Sequence, residues 1–222
     1  MTKYTVDKAF SCRTERSDRV LEVAESFGIG LEEREFKVLD NVEVDIDKGD
    51  VVYITGQSGS GKSQMLNELE RLMREEGLSV VNMSEVKYED KPIIDQVGSS
   101  TSEAIELLSR AGINDAYILI RKPQELSDGQ MYRFKLATIF SMNADVIVCD
   151  EFAAVLDRVT AKVVSYAASN WVRKKNKILI VATTHTDLIT ELAPTITIVK
   201  RFNDRIEIVT EDAIDASNEK TS

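Results

Sequence analysis

The stretch VVYITGQSGSGKS, residues 51–63, decides how the rest of the chain is read. Val51–Thr55 is a short run of β-branched and aromatic residues, which predicts a buried strand. Gly56, Gly61, Lys62 and Ser63 then match the spacing G-x-x-x-x-G-K-[ST]. Residues 62–76 carry apolar side chains at 65, 66, 69, 72 and 73, a helical period, and Gly77 is a natural stop. A glycine-rich turn between a strand and a helix lets successive backbone N–H groups point at phosphate oxygens, and the helix start adds positive potential. Gly56, Gln57, Ser58, Gly59, Ser60, Gly61, Lys62, Ser63 and Gln64 are therefore the expected phosphate-binding residues. Lys62 is expected at the β/γ-phosphates, and the Ser63 hydroxyl on magnesium.

Outward from this loop, strands and helices alternate. Strands are expected at 42–46, 79–83, 146–150, 178–183, 195–200 and 205–210. Ser100 and Glu103 read as a capping box before a helix carrying Ala104, Leu107, Leu108 and Ala111. Val164, Ala167, Ala168 and Trp171 mark another helix. The alternation predicts an α/β fold around a mainly parallel sheet, with antiparallel additions at the ends. The run ADVIVCDEF ends a buried strand in Asp150 and Glu151. Carboxylates at the C-terminal edge of such a sheet sit where nucleotides bind. Asp150 is suited to hold magnesium, and Glu151 to polarise an attacking water as general base. Two acids after a strand are by themselves a common solvated turn; the phosphate loop gives them their meaning.

Composition bounds the partners. The chain has 222 residues, 28 basic and 38 acidic side chains, and a formal net charge of −10. That balance gives no support to bulk nucleic-acid binding. The basic cluster Arg173, Lys174, Lys175 and Lys177 reads as a solvated helix end. Two distant cysteines, Cys12 and Cys149, form no disulfide framework, which suggests a reducing, cytoplasmic setting. The first 19 residues have no apolar core of a signal peptide, and no stretch approaches the roughly 20 apolar residues of a membrane span. Any membrane partner must be another chain.

Leu126-Ser127-Asp128-Gly129-Gln130 resembles the LSGGQ signature of the ATP-binding-cassette (ABC) ATPases, with Asp128 in place of the first glycine. The same residues also read as an S-x-x-Q capping box, and both readings can hold. Ser127 lies 23 positions before Asp150, Asp157 matches the family's D-loop aspartate, and His185, the single histidine, falls 34 positions after Glu151 where the switch histidine belongs. The ordered set covers roughly residues 20 to 205. The resemblance implies a P-loop ATPase of ABC type, with an antiparallel β subdomain and a reduced helical subdomain at about 84–142. It implies ATP and Mg2+ as cofactors, Glu151 and His185 as catalytic residues, and a head-to-tail homodimer. In that dimer Ser127, Gly129 and Asp157 of one copy serve the nucleotide of the other. It further implies a Q-loop glutamine on the metal, for which Gln96 is the candidate. It also implies an aromatic on adenine, for which Phe27 and its rival Phe36 are candidates.

Residues 91–98, 108–137 and 150–164 are similar to a narrower group of stand-alone bacterial and phage ABC ATPases. Lys62 to Ser127 spans 65 positions, shorter than in transporter ATPases. These features lead to the expectation of a non-transporter ATPase or switch with an unknown protein or nucleic-acid partner. The alternative is the nucleotide-binding subunit of a membrane transporter. One ATPase domain is expected over 1–211, with a polar tail at 212–222.

Overall fold

The computed structural model describes residues 2–12, 14–31, 34–201 and 206–210. The expected tail at 212–222 lies outside them. Two antiparallel strands, β1 (Thr2–Cys12) and β2 (Arg34–Ile46), form one small sheet, with helix α1 (Asp18–Phe27) in the connection. The chain continues through β3 (Val51–Thr55), α2 (Lys62–Glu75), β4 (Val80–Asn82), α3 (Thr101–Arg110), α4 (Ala116–Leu119) and α5 (Asp128–Ser141). It ends with β5 (Val146–Cys149), α6 (Arg158–Lys175), β6 (Ile178–Thr183), α7 (Ile189–Leu192), β7 (Ile196–Val199) and β8 (Glu207–Thr210). Among the described residues the larger sheet has six strands in the order β4-β5-β6-β3-β7-β8. All its pairings are parallel except β7 with β8.

Every residue of β3, β5 and β6 is buried, as parallel strands covered on both faces require. Period-two alternation divides them between two layers. Val51, Tyr53, Ile147, Cys149, Leu179 and Val181 face a core shared with α3, α5 and α6. Val52, Ile54, Val146, Val148, Ile180 and Ala182 face the opposite core, built with α2 and the β1–β2 sheet. The helices of residues 101–141 thus pack onto the same core as one face of the central sheet. Burial pushes the Cys149 thiol up to about 12, so it behaves as a packing group, not a nucleophile.

The sequence-based expectation began the second strand at Val42; the structure begins it at Arg34 and pairs it with β1, which the expectation did not mark. Among the described side chains of β1, Tyr4 and Val6 are the buried ones, so the apolar signal there is sparse. Its anchors are tertiary instead. The Tyr4 hydroxyl donates to Glu76 at 2.7 Å, and Lys8 pairs with Glu68 of α2 at 3.5 Å. The expected helices at 62–76 and 100–111 are present as α2 and α3. At the second, the Glu103 carboxylate accepts from the N–H and hydroxyl of Ser99, one residue before the Ser100 cap.

Candidate functional site

Four strands deliver the site. The phosphate loop leaves the C-terminal end of β3, Asp150 and Glu151 follow β5, Thr183 ends β6 with Thr184 just after it, and Lys200 follows β7. Because these strands are parallel neighbours, their carboxyl ends share one edge. A cavity of about 610 Å³ there is lined by Ser58, Gly59, Gly61, Lys62, Ser63 and Gln64 on one side and by Asp150 and Glu151 on the other.

The loop's backbone demands glycine at particular positions. Gly56 has φ 146°, and a Cβ there would stand 1.9 Å from the Lys200 carbonyl oxygen. Gly61, the N-cap of α2, has φ 96°, and a Cβ there would lie 2.8 Å from Val38 Cγ1. Both conformations and both approaches exclude a side chain. The Lys62 ammonium donates to the carbonyls of Gly56 at 3.0 Å and Gln57 at 2.8 Å. Burial lowers its proton affinity, and the facing carboxylates of Asp150 and Glu151 oppose that shift. The cation and the two carboxylates therefore see one another across the cavity.

The turn after β5 is strained. Glu151 has φ 48° and Ala153 φ 59°, both in the left-handed region that these residues seldom adopt. Hydrogen bonds over-determine it. Asp150 Oδ1 accepts from the Glu151 N–H at 2.8 Å, and the Phe152 N–H donates to Ala182 O of β6 at 2.9 Å. The Ala153 N–H donates to the Tyr132 hydroxyl at 2.9 Å. Tyr132 belongs to α5, so the helix that Ser127 caps holds the turn of Glu151 and Ala153 in its own chain. The sequence reading missed this tie, because a tyrosine among Met131, Arg133 and Phe134 carries no local sign of its partner.

Ser127 caps α5 reciprocally: its hydroxyl accepts from the Gln130 N–H at 3.4 Å, and Gln130 Oε1 accepts from the Ser127 N–H at 3.0 Å. A Cβ on Gly129 would stand 3.5 Å from Leu156 Cδ2, so the signature packs beside the segment that ends in Asp157. Asp157 caps α6, accepting from Val159 and Thr160, and the hydrogen bonding from Thr160 holds its carboxyl below the usual range. Gly129 thus packs against Leu156, the residue before Asp157, and none of Ser127, Gly129 and Asp157 lines the cavity of its own chain. His185 is half-buried just beyond Thr184; its N–H donates to Thr183 Oγ1 at 3.1 Å and its carbonyl accepts from the Tyr53 hydroxyl.

Two expected residues stand apart. The side chain of Gln96 is turned onto its own loop. Its Oε1 accepts from the Glu89 N–H at 2.8 Å, and its Nε2 donates to the carbonyls of Glu89 at 3.1 Å and Lys91 at 2.5 Å. With both ends of the amide used in this way, the structure does not bring Gln96 to the cavity as a metal ligand. Phe27 ends α1 with its side chain 77% exposed and is not part of the cavity wall. The backbone of Phe36 pairs with Phe10 in the small sheet; its side chain lies outside the described residues.

Among the described residues no three His, Cys, Asp or Glu side chains converge as a metal cage. One hydroxyl and one carboxylate, Ser63 and Asp150, do line the same cavity. That hard-oxygen pair fits magnesium, which keeps several waters and binds mainly through phosphate oxygens plus one or two protein ligands. Among the described residues no helix is long and apolar enough to cross a membrane.

A profile described as "ABC transporter" matches residues 39–154. The methionine import ATP-binding protein MetN of Clostridioides difficile (strain 630) is 30% identical over 184 residues, covering 67% of this chain and 56% of that protein. MetN of Clostridium tetani is 28% identical over 185 residues, covering 67% of this chain and 57% of that protein. The chain spans about half the length of these curated relatives. Among solved structures, the dimeric MJ0796, a bacterial ABC transporter cassette, overlays with a TM-score of 0.63 at 18% identity, covering 93% of this chain and 98% of that one. That overlay concerns the fold.

Proposed function

The chain belongs to the ABC transporter family, and on that premise we propose that it binds MgATP and hydrolyses it between two copies arranged head to tail. One observation carries this reading. The phosphate loop and the β5 carboxylates share a cavity, while the capped signature helix and Asp157 share a different surface of the same chain. A second copy, turned by a two-fold axis, would bring its signature surface to the first copy's cavity. In this arrangement Lys62 binds the β/γ-phosphates, and Ser63 and Asp150 would hold magnesium, which would supply positive charge against the phosphate oxygens. Glu151 takes the proton of the attacking water, and His185 keeps that water or the γ-phosphate in line. Ser127 and Gly129 of the second copy donate to the γ-phosphate from a helix N-terminus. For the adenine ring, Phe27, exposed on α1, and its rival Phe36 remain the proposed stacking residues.

The composite site is tested with Gly129→Asp. A Cβ there would meet only Leu156 Cδ2 at 3.5 Å and the Val155 carbonyl oxygen at 3.9 Å, with no positive φ, and a thermal melt beside the assay checks that the fold is kept. MgATP affinity of the single chain is expected to stay within about twofold, while turnover falls at least about a hundredfold, because a carboxylate at this helix N-terminus repels the γ-phosphate and keeps the backbone N–H from reaching it. Turnover close to that of the unmodified chain, or equal loss of binding and turnover, would overturn the two-copy reading.

Two settings for this engine were set out from the sequence. The relatives' names support the membrane-transporter subunit better than the stand-alone ATPase. The short stretch from Lys62 to Ser127 supported the stand-alone reading by leaving little docking surface. The helical segment nevertheless exposes Tyr117 at 77% and Ile120 at 65%, with Ile105 also exposed. A partly apolar face on 84–142, here proposed as the helical subdomain, suits a partner's helix. We therefore favour the transporter setting. A photo-crosslinker at Tyr117 in the Glu151→Gln chain is expected to capture an integral membrane protein in the membrane fraction. Capture of cytosolic chains alone, with no membrane-fraction product, returns the reading to the stand-alone ATPase.

A further inference from the structure

Lys200 is a lysine where the fold has little room for one. It follows β7 directly and is 6% exposed, and lysine is seldom so buried unless paired. Among the described residues its ammonium has neither an ion pair nor a hydrogen bond. Its backbone is locked against the phosphate loop: the N–H donates to Thr55 O at 2.8 Å, and the carbonyl closes on Gly56. Its side chain continues under the loop to the far end, where Cε lies 3.6 Å from the place a Cβ on Gly61 would occupy. One residue therefore touches both glycines that bracket the loop. Between them Ser60 is also buried, and its hydroxyl has no hydrogen-bond partner.

This arrangement is unfavourable by itself. Gly61 is the N-cap of α2, so the positive end of a 14-residue helix lies beside the Lys200 side chain. Two positive sources adjoin, and the buried stem of Lys200 sets low-dielectric material between them, which weakens their screening. An anion on the loop would relieve both at once. We propose that Lys200 is a second cationic positioning residue for the nucleotide's phosphate chain, acting from beneath the loop through its field while Lys62 acts from within. It is not part of the cavity wall, so its effect should scale with the ligand's phosphate charge and not with the base or sugar.

The proposal rests on the phosphate-loop reading, and the test separates the two. Lys200→Met keeps the length and burial of the side chain and removes the charge. Its thermal stability should be equal to or above that of the unmodified protein, since methionine fills the volume of the buried stem and removes a charge that has no ion-pair partner among the described residues. Affinity is then measured for MgATP, ADP, pyrophosphate and adenosine. We expect a loss of about tenfold for MgATP and pyrophosphate, a smaller loss for ADP and none for adenosine, with Lys200→Arg restoring most of it. Equal affinities in the Met variant and the unmodified protein, or the same loss for adenosine as for pyrophosphate, would overturn the role. Failure of the unmodified protein to bind MgATP would instead remove the phosphate-loop reading itself. If the Met variant does not fold, Lys200→Gln, uncharged but able to donate a hydrogen bond, carries the same comparison.

Discussion

Lys62→Ala is expected to lower MgATP affinity at least about tenfold while leaving the fold intact. A charge-assisted hydrogen bond to phosphate contributes about 1.5–3 kcal/mol, and each 1.4 kcal/mol is a factor of about ten. Two observations suggest the upper part of that range. The ammonium is partly buried, so water cannot fully replace it, and it faces Asp150 and Glu151 across the cavity. Without Lys62 those carboxylates meet the nucleotide's own negative charge with one cation fewer between them. The variant also loses the bonds from Nζ to the carbonyls of Gly56 and Gln57, which tie the loop's first turn. The core beneath is independent of that side chain, because Met65, Leu66, Leu69 and Met73 hold α2 on the sheet. Isothermal titration with MgATP, alongside a thermal melt, checks both halves. An unchanged dissociation constant would refute the assignment of this loop.

Glu151→Gln is expected to have the opposite effect on binding and the larger effect on rate. Glutamine preserves size and can still orient a water, but it cannot take its proton. Loss of a general base costs on the order of 10²–10⁴-fold in turnover. Nucleotide and metal contacts from Lys62, Ser63 and Asp150 remain, so the ATP-bound two-copy state should accumulate. Light scattering at saturating MgATP should then report about twice the mass seen without nucleotide, and EDTA should reverse it. Monomer under those conditions would count against the composite site. The substitution is also mild for the backbone. Glu151 has φ 48° in a turn held by Asp150, Ala182 and Tyr132, and amide and carboxylate have similar preferences there.

The most legible parts of the chain were those whose signals are local. The loop at 56–63 needs glycines to turn and a helix to follow, and α2 starts at Lys62. The apolar run ending in Asp150 is a strand buried on all residues. Ser127 and Gln130 form the reciprocal cap that S-x-x-Q predicts. In each case the backbone geometry is decided within a few residues, so spacing alone carries it. Gln96 illustrates the reverse. Its position after a short strand suggested a ligand, but whether an amide points to a cavity or to its own loop depends on which acceptors lie nearer. Here Glu89 and Lys91 do.

By itself, then, the sequence determined the fold class, the phosphate loop, the paired carboxylates after β5 and the order of motifs that marks the family. Periodicity, glycine placement and spacing are properties of neighbouring residues, so they survive without three-dimensional context. Only the tertiary structure decided that β1 pairs with β2 over Thr2–Cys12. Only it showed that the Tyr132 hydroxyl braces Ala153. It likewise separated Ser127, Gly129 and Asp157 from the cavity of their own chain and set Lys200 beneath the phosphate loop. Those facts join residues 21 to 145 positions apart, through strand order and parallel register, and no local pattern encodes which distant strand will lie alongside. The physical reason is that hydrogen bonds and charges act over a few ångströms of space, and the chain brings those ångströms together only by folding.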